Sequence, residues 1–473
     1  MSQTITIDPV TRLEGHGKVT IHLDEQGQVS DAHFHVTQVR GFERFAEGRP
    51  FYEMPSLMAR ICGICPVSHL IASAKACEAI MSIRIPHTAA QLRRMLNLAQ
   101  MVQSHALSFF HLSSPDLLLG LDSDPAQRHI FGVAAARPEL GRAGIALRRF
   151  GQHIIELLGN KRIHPGWVIP GGVTEPLAAA KRDEILAMIP EAYSNIKIAL
   201  NWYKQIADSF QAEIEIFANF PSLFMGLINE DESIEFTDGA LRIIDAKGAI
   251  IEDGITAARF TELIGEAVEP YSYTKFAYYK PLGYPQGSYR VGPLARLNIA
   301  QTMGTPLADI ELKQFKLIAL GPVHSSFHYH HARLIDILYG IEKIEQILTD
   351  PLILDKHVRA TAGVNRLEGA GQAEAPRGTL MHNYKVDENG LITWANLVIA
   401  TGQNNNAMNR GVLQAARYYI KDGKFTEGIL NRVEAVVRTF DPCLSCSSHA
   451  FGQMPLHIAL VSPAGEVLDT VTR

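Results

Sequence analysis

Cysteine is scarce in this chain, which has five among its 473 residues. So few cysteines in so long a chain argue against a disulfide framework, and they favour a reducing compartment in which thiols bind metal or take part in catalysis. Runs of Lys and Arg are also missing, and the net charge is −5. This balance argues against nucleic acid as the main partner.

Long apolar stretches are missing as well. No stretch reaches the ~18 residues that a membrane-spanning helix needs, so we expect no membrane span. Residues 1–8 have neither the basic start nor the apolar core of an export signal. We therefore expect a cytoplasmic protein.

Motifs for electron carriers are incomplete. Gly15-His-Gly17 and Gly369-Ala-Gly371 both lack the third glycine of a dinucleotide-binding loop. An iron–sulfur cluster usually needs four cysteines, and only Cys77 remains once the two cysteine pairs described next are set aside. The sequence therefore predicts no iron–sulfur cluster and no flavin in this chain, and we interpret Cys77 as a packed free thiol.

The other four cysteines form two Cys-x-x-Cys pairs near opposite ends of the chain, Cys62/Cys65 and Cys443/Cys446. If the pairs meet in space, nearly the whole polypeptide folds around a buried, all-thiolate metal centre. A zinc ribbon would place its second pair some 15–20 residues after the first. From the pairs alone, a structural zinc site and a site for another soft metal remain equally open.

The hydrophobic pattern predicts a mainly α protein with small antiparallel β additions. Alternating apolar residues from Ile5 to Val36 predict a small antiparallel sheet. Thr88-x-x-Gln91 has the form of a capping box that opens a long helix, and Thr426 is a predicted cap for the last one. Further helical patterns cover 139–158, 176–219 and 324–349, and a hairpin with an Asn-Gly turn is predicted over 384–394.

We interpret residues 1–449 as one domain. It comprises a small β region (1–50), a mainly helical region (55–350) and a region with loops, a hairpin and the second cysteine motif (351–449). Residues 450–473 are interpreted as a C-terminal extension.

Several motifs, in this order, resemble those of the large subunit of a nickel–iron hydrogenase. They are Asp8-Pro-Val-Thr-Arg-Leu-Glu14-Gly-His16, Arg40-Gly-Phe-Glu43, Arg60-Ile-Cys62-Gly-Ile-Cys65, His164-Pro-Gly-Trp-Val-Ile-Pro170-Gly-Gly172, Glu374-Ala-Pro-Arg377-Gly378 and Asp441-Pro-Cys443-Leu-Ser-Cys446-Ser-Ser-His449. The resemblance covers the chain end to end and looks most like the soluble, NAD-reducing bidirectional type of cyanobacteria. It implies that family's large helical-bundle core and its reaction, the reversible heterolytic cleavage of dihydrogen.

The resemblance also implies a nickel–iron centre. Cys62 and Cys443 would be terminal nickel ligands, while Cys65 and Cys446 would also bridge to an iron that carries cyanide and carbon monoxide. Soft thiolates suit such a centre.

Two further ligand sets follow from the resemblance. Glu43, the backbone carbonyl of Leu397 and His449 would hold a Mg²⁺ ion, which prefers hard ligands. Thr401 would donate a hydrogen bond to a cyanide, although the proline that usually precedes it is Ala400 here.

Four residues are implied in the reaction itself. A cysteine sulfur would take the first proton, and Glu14 would be the next proton station. Arg377, with Pro376 beside it, would stand over the metals, and Asp116 and Asp441 would hold its guanidinium, because a buried arginine needs carboxylate partners.

Each of these residues also has an ordinary structural interpretation. Glu14 would equally suit an ion pair with Arg12, Arg377 an ordinary ion pair, and Asp116 a helix cap. His324, His328, His330 and His331 have helical spacing, but no carboxylate or cysteine accompanies them, so we interpret them as core residues.

Partners follow from the missing electron carriers. The resemblance implies a small subunit with iron–sulfur clusters, and a diaphorase module beyond it. It also implies nickel-insertion proteins and a maturation protease that removes residues 450–473. A regulatory hydrogen sensor without that extension, a non-catalytic subunit related to respiratory complex I and a zinc-stabilised scaffold are the alternatives.

Overall fold

The computed structural model describes residues 3–39, 41–448, 457–464 and 466–472. The helices are α1 (Phe42–Ala46), α2 (Met54–Met58), α3 (Pro66–Met81), α4 (His87–Ala106), α5 (Ser114–Leu119), α6 (Ile130–Ala136), α7 (Pro138–Gly159), α8 (Ala179–Ile206), α9 (Gln211–Ile216), α10 (Phe260–Leu263), α11 (Pro293–Ile299), α12 (Pro306–Lys316), α13 (Tyr329–Thr349), α14 (Ala400–Tyr419), α15 (Glu427–Phe440) and α16 (Leu444–Ser447). A π-helical segment, Leu107–Ser113, joins α4 to α5.

The strands form several small sheets. They are β1 (Gln3–Ile7), β2 (Gly17–Leu23), β3 (Val29–Val36), β4 (Val168–Ile169), β5 (Gly172–Val173), β6 (Leu223–Ile228), β7 (Ala240–Ile244), β8 (Ile250–Ile255), β9 (Ile264–Val268), β10 (Lys275–Tyr279), β11 (Tyr289–Arg290), β12 (Glu368–Ala375), β13 (Gly378–Val386), β14 (Ile392–Val398), β15 (His457–Val461) and β16 (Val467–Thr472).

Four long helices form the centre of the molecule. Helix α4 packs against α7 and α13, and α8 packs against the same two helices. Helix α13 is buried on nearly all sides from Tyr329 to Leu348, as expected of a helix in the middle of a large core. The predicted fold class, mainly α with small β additions, is confirmed, and the pattern over 176–219 divides into α8 and α9.

The sheets follow the predicted pattern with one exception. The N-terminal sheet has the order β1-β2-β3, and β12, β13 and β14 form a second antiparallel sheet. Its β13–β14 hairpin turns at Gly390, whose φ of +80° suits the predicted Asn-Gly turn. In the sheet β11-β6-β7-β8, the pair of β11 with β6 is parallel.

One helix start differs from the prediction. Helix α4 begins at His87, and no side chain caps it. Thr88 is buried, and its hydroxyl donates to the Leu352 carbonyl oxygen at 3.0 Å. The capping box was wrong because a tertiary partner takes the hydroxyl. Thr426 does cap α15, where its side chain accepts from the amide of Ile429.

Helix α3 and strand β12 pack face to face and bring two distant motifs together. A Cβ at Gly371 would lie 2.1 Å from the Ala72 carbonyl oxygen, so only glycine permits this approach. Helix α3 starts directly after Cys65, and β12 ends directly before Pro376. The contact therefore carries the first cysteine motif towards the Pro376-Arg377 turn.

Replacing Gly371 by Ala should destabilise the protein. The added methyl group would push β12 away from α3, and overpacking of this kind costs about 1–3 kcal/mol of unfolding free energy. Thermal unfolding of the purified protein measures the loss. Gly363→Ala is the matched control, since a Cβ there meets nothing within 4 Å. An equal midpoint for the two variants would contradict the packing argument.

The described residues add two facts about the chain as a whole. None of their helices combines the length and the apolar composition that crossing a membrane requires. The C-terminal strands β15 and β16 pair as an antiparallel hairpin. The domain boundaries proposed from the sequence stay a prediction.

Candidate metal centre

The four cysteines of the two motifs meet in the folded chain. The Sγ atoms of Cys62 and Cys443 lie 3.3 Å apart, and those of Cys65 and Cys446 lie 3.4 Å apart. The Sγ atoms of Cys443 and Cys446 lie 2.8 Å apart. All four are buried, and within the described ranges they are the one group of His, Cys, Asp or Glu side chains arranged to hold a metal ion.

Local backbone geometry aims the sulfurs at one point. Cys62 and Cys65 flank a short loop before α3, in which the Ile64 amide donates to Cys62 Sγ at 3.2 Å. At the other end, α15 stops at Asp441, which takes a left-handed φ of +53°. Cys443 follows two residues later, and Cys446 lies in α16. Both loops are therefore held by the helices next to them.

The N-terminal segment lies beside the second cysteine motif. Glu14 and Cys443 form a parallel bridge, and the Leu444 amide donates to the Glu14 carbonyl oxygen at 3.1 Å. This close passage requires Gly15, whose φ is +88° and whose Cβ would lie 2.7 Å from that of Leu444.

The charge of the cluster calls for a cation. Hydrogen bonds from neighbouring thiols, that of Cys443 first, lower the pKa of Cys62 and Cys65. Burial raises the pKa of Cys443 and Cys446, so the cluster alone cannot hold four negative charges. Bound metal resolves this conflict, because a coordinated thiol is deprotonated outright. Four buried sulfur donors therefore fit a soft metal centre of the nickel–iron kind.

Glu14 lies against the second cysteine motif. Its Oε2 atom accepts from the Ser445 amide at 3.0 Å, next to Cys446 in the chain. Its negative charge also acts on the thiol of Cys62. Arg12 forms its ion pair with Asp116, not with Glu14. The carboxylate is thus close to the sulfurs, and Arg12 does not neutralise it.

Arg377 lies at the two-residue turn that joins β12 to β13, next to the buried Pro376. Its Nε donates to the Asp441 carbonyl oxygen at 2.6 Å, and its Nη2 lies 3.1 Å from Asp441 Oδ2. Its Nη1 donates to the Ser104 hydroxyl at 3.2 Å. Burial alone would lower the pKa of Arg377, but Asp441 and the charges on the cysteines outweigh burial and raise it. The guanidinium is therefore a permanent cation beside the thiolates.

Asp116 does not pair with Arg377, which corrects the contact expected from the sequence. Its ion-pair partners are Arg12 at 2.6 Å, Arg438 at 3.3 Å and Arg128 at 3.6 Å. The Asn431 amide adds a hydrogen bond of 3.0 Å. Both oxygens of Asp116 are thus occupied by other donors, so Asp441 supplies the carboxylate for Arg377.

Thr401 contacts the second cysteine motif. It lies in the first turn of α14 and is buried, and its Oγ1 accepts from the Cys443 amide at 2.9 Å. Because the amide is the donor, the hydroxyl proton of Thr401 remains free to donate. Ala400, which takes the place of the usual proline, begins the helix, and Thr401 still lies beside Cys443.

The predicted Mg²⁺ ligands are only partly described. Glu43 Oε1 accepts from the Leu397 amide at 2.7 Å, so these two residues are adjacent. The Lys275 ammonium lies 2.9 Å from Glu43 and 3.3 Å from Glu266. His449, the third predicted ligand, lies outside the described residues, as does Arg40. Oxygen donors that suit Mg²⁺ are present, and Lys275 already binds two carboxylates, those of Glu43 and Glu266.

Sequence reasoning missed Ser104, Lys275 and Glu266. None of them lies in a motif, and each reaches the site from an element far away in the sequence. A buried polar residue at an otherwise apolar helix position, such as Ser104 in α4, was the available signal. Of the four histidines in 324–331, His328, His330 and His331 are buried, as expected of core residues, and His324 is half-buried.

Known families and curated relatives match most of the chain. A family model described as nickel-dependent hydrogenase matches residues 40–127 and 228–449, and one described as HoxL-like matches residues 4–39. The NAD-reducing hydrogenase HoxS subunit beta of Cupriavidus necator is 41% identical, with 100% of each chain covered. One subunit of the F420-non-reducing hydrogenase vhc of Methanococcus voltae is 40% identical, with 99% of each chain covered.

Solved structures give the same picture. A crystal structure of an NAD⁺-reducing NiFe-hydrogenase in the H2-reduced state matches with a TM-score of 0.92 at 43% identity, covering 94% of this chain and 99% of that one. The Ni-Fe-Se hydrogenase from D. vulgaris Hildenborough matches with a TM-score of 0.73 at 24% identity, which shows a shared fold alone.

Proposed function

This chain belongs to the nickel-dependent hydrogenase family, and from that premise we propose that it is the catalytic subunit of a complex that transfers electrons from dihydrogen to a nicotinamide nucleotide. The resemblance found in the motifs is thereby confirmed, and the chain is an oxidoreductase that acts on dihydrogen. The observation that carries the proposal is the convergence of four sulfurs from opposite ends of the chain.

We assign the metal ligands from the contacts between the sulfurs. Each N-terminal cysteine faces one C-terminal cysteine, Cys62 with Cys443 and Cys65 with Cys446. The division into terminal and bridging ligands follows from the resemblance, and these sulfur contacts are compatible with it. When bound, a nickel–iron centre would supply the soft metal site at which dihydrogen is split.

The proton released at the sulfurs would pass to Glu14. A general base must lie within hydrogen-bond reach of its donor or one water away. Glu14 lies beside the cysteine loops, is only half-buried and is not neutralised by Arg12. Its carboxylate can therefore take a proton on the side of the sulfurs and pass it towards solvent.

Replacing Glu14 by Gln tests this role. The amide oxygen can still accept from the Ser445 amide, so we expect normal nickel and iron content. Because the amide cannot carry the proton, we expect hydrogen oxidation to fall about 100-fold. Dye reduction and isotope exchange between deuterium gas and water measure the effect. Glu25→Gln, at an exposed turn, is the control, and unchanged exchange in Glu14→Gln would refute the role.

The remaining polar residues would bind and orient the groups of the metal centre. Arg377 would supply a fixed positive charge over the thiolates, with Pro376 shaping the turn. The free hydroxyl proton of Thr401 suits a hydrogen bond to a diatomic ligand on iron. Glu43 and Leu397, together with His449, remain our proposal for a Mg²⁺ site.

Electrons would leave through a partner protein. Four of the five cysteines form the metal centre and the fifth is Cys77, so too few remain to bind an iron–sulfur cluster. We therefore propose that the electron acceptor is an iron–sulfur small subunit. The Cupriavidus necator relative and the matched crystal structure are NAD-reducing hydrogenases by name. We therefore extend the proposal to a diaphorase module that reduces a nicotinamide nucleotide.

The C-terminal extension supports a maturation step. In the β15–β16 hairpin, the apolar side chains of Leu460, Val467 and Leu468 are about 60% exposed. A lone two-stranded hairpin with exposed apolar groups adds little stability. We propose that a protease removes residues 450–473 after nickel-insertion proteins load the site.

Elemental analysis of the purified complex tests the function. We expect nickel and iron in equal amounts, and reduction of NAD⁺ under hydrogen gas. Zinc in place of both metals would refute the proposal and favour a structural tetra-thiolate site. Metal content and activity are measured on one preparation, so loss of a partner protein is not mistaken for lack of a centre.

A further inference from the structure

Arg296 is a fully buried arginine that the proposed mechanism does not use. It lies in α11 and is 0% exposed. Its Nη2 lies 2.6 Å from Asp336 Oδ2, and its Nη1 lies 2.6 Å from Glu374 Oε2. Both carboxylates are also 0% exposed. Charges buried this deeply are retained only with close partners, and removing one of them is strongly destabilising.

Glu374 ties Arg296 to the turn that carries Arg377. It lies three residues before Arg377, and its Oε1 accepts from the Thr379 hydroxyl at 2.7 Å. Glu374 and Thr379 face each other across the β12–β13 hairpin. Their hydrogen bond closes the hairpin just below its turn, and Arg296 binds the same carboxylate.

Arg296 also reaches the backbone of the turn. Its Nη1 donates to the Ala375 carbonyl oxygen at 3.3 Å, and its Nη2 approaches the Pro376 carbonyl oxygen at 3.5 Å. These bonds are long, so most of the hold comes through Glu374. The guanidinium carbon of Arg296 lies over the ring of Phe236, 4.8 Å from its centroid, which adds a cation–π contact.

The other end of the network returns to Arg377. His105 Nε2 lies 3.3 Å from Asp336 Oδ2. Burial lowers the pKa of His105 to about 4, so this imidazole is neutral at neutral pH. The preceding residue, Ser104, accepts the hydrogen bond from Arg377. Arg377 and the Arg296–Asp336 pair thus contact neighbouring residues of α4, Ser104 and His105, and Arg296 also binds Glu374 below the turn.

We infer that Arg296 is a positioning residue, which holds the Pro376-Arg377 turn in place over the four sulfurs through Glu374 and Asp336. The inference rests on the proposed role of Arg377. Lysine cannot replace it, because an ammonium is a point charge that lacks the planar fork needed to bind two carboxylates and two carbonyl oxygens at once. The site would then keep its charge and lose its geometry.

The test uses Arg296→Lys in the purified complex, with Arg93→Lys as the matched control. Arg93 is equally buried and forms a two-point ion pair with Glu78, away from the turn. For Arg296→Lys we expect retained nickel and an unchanged KM for hydrogen. We expect kcat to fall about tenfold, less than the 100-fold that a 1 Å misplacement can cost.

Amide hydrogen exchange supplies the readout that does not depend on activity. We expect the amides of residues 377–380 to exchange about tenfold faster in Arg296→Lys, because the turn opens locally more often. Arg93→Lys should lower the thermal midpoint without changing kcat or this exchange. If Arg296→Lys matches the control in both kcat and the exchange of residues 377–380, Arg296 only forms a structural ion pair and the inference is wrong.

A second variant acts on the carboxylate side of the same network, and its thermal midpoint is measured first to show that it folds. Asp336→Asn keeps the side-chain volume and removes one carboxylate from Arg296, and we expect the same faster exchange at residues 377–380. Unchanged exchange in a folded Asp336→Asn protein would also overturn the inference. If the wild-type complex does not oxidise hydrogen, the proposed function fails, while the exchange result still decides whether Arg296 holds the turn.

Discussion

Replacing Cys446 by Ser should remove both metals from the complex and reduce hydrogen-dependent dye reduction to background. Cys446 lies 2.8 Å from Cys443 and 3.4 Å from Cys65, so its sulfur is shared by both halves of the cluster. A serine hydroxyl stays protonated near neutrality and is a hard, poor ligand for a soft metal. Nickel and iron content, measured with dye reduction on the same preparation, checks the result.

Cys77→Ser is the matched control for that experiment. Cys77 is equally buried and donates from Sγ to the Phe51 carbonyl oxygen at 3.1 Å. A serine hydroxyl can make the same hydrogen bond, and the residue lies outside the cluster. We expect this variant to keep both metals and its activity. If Cys446→Ser retains nickel at the level of Cys77→Ser, the four-sulfur centre is refuted.

Replacing Arg377 by Lys should lower kcat about 100- to 1,000-fold, the usual effect of losing a fixed polar contact in an active site. The guanidinium binds the Asp441 backbone and carboxylate together with the Ser104 hydroxyl. An ammonium can keep the charge but cannot satisfy all three groups in one plane. The metals should remain, because Arg377 is not a ligand.

Steady-state hydrogen oxidation and metal analysis test the Arg377 prediction. Arg93→Lys again serves as the buried control, with kcat expected to stay near the wild-type value. Arg377→Leu should be worse than Arg377→Lys, because it takes the ion-pair partner from the buried Asp441, at about 3–5 kcal/mol. A wild-type kcat in Arg377→Lys would show that the planar fork is not required.

Local features of the fold followed from the sequence. The alternation from Ile5 to Val36 predicted the first sheet, and Thr426 marked the start of α15. These features depend on neighbours a few residues away, so periodicity and capping rules can predict them. Thr88 failed for the opposite reason, because its hydroxyl is taken by Leu352, which is distant in the sequence.

The sulfur ligands were readable in advance, because a Cys-x-x-Cys spacing lets two thiols reach one ion whatever surrounds them. The charged partners were not. We expected Asp116 to pair with Arg377, but it binds Arg12. Lys275 binds Glu43, although Lys275 lies in no recognised motif.

The residues that can bind a metal could therefore be identified from the sequence, whereas the partner of each charged side chain was decided by folding. Many arginines and carboxylates have compatible charge, and only the packing of α3 on β12 and of the two chain ends on each other selects which of them meet. Arg296 is the clearest case, since it lies in no motif and yet lies behind the turn that carries Arg377.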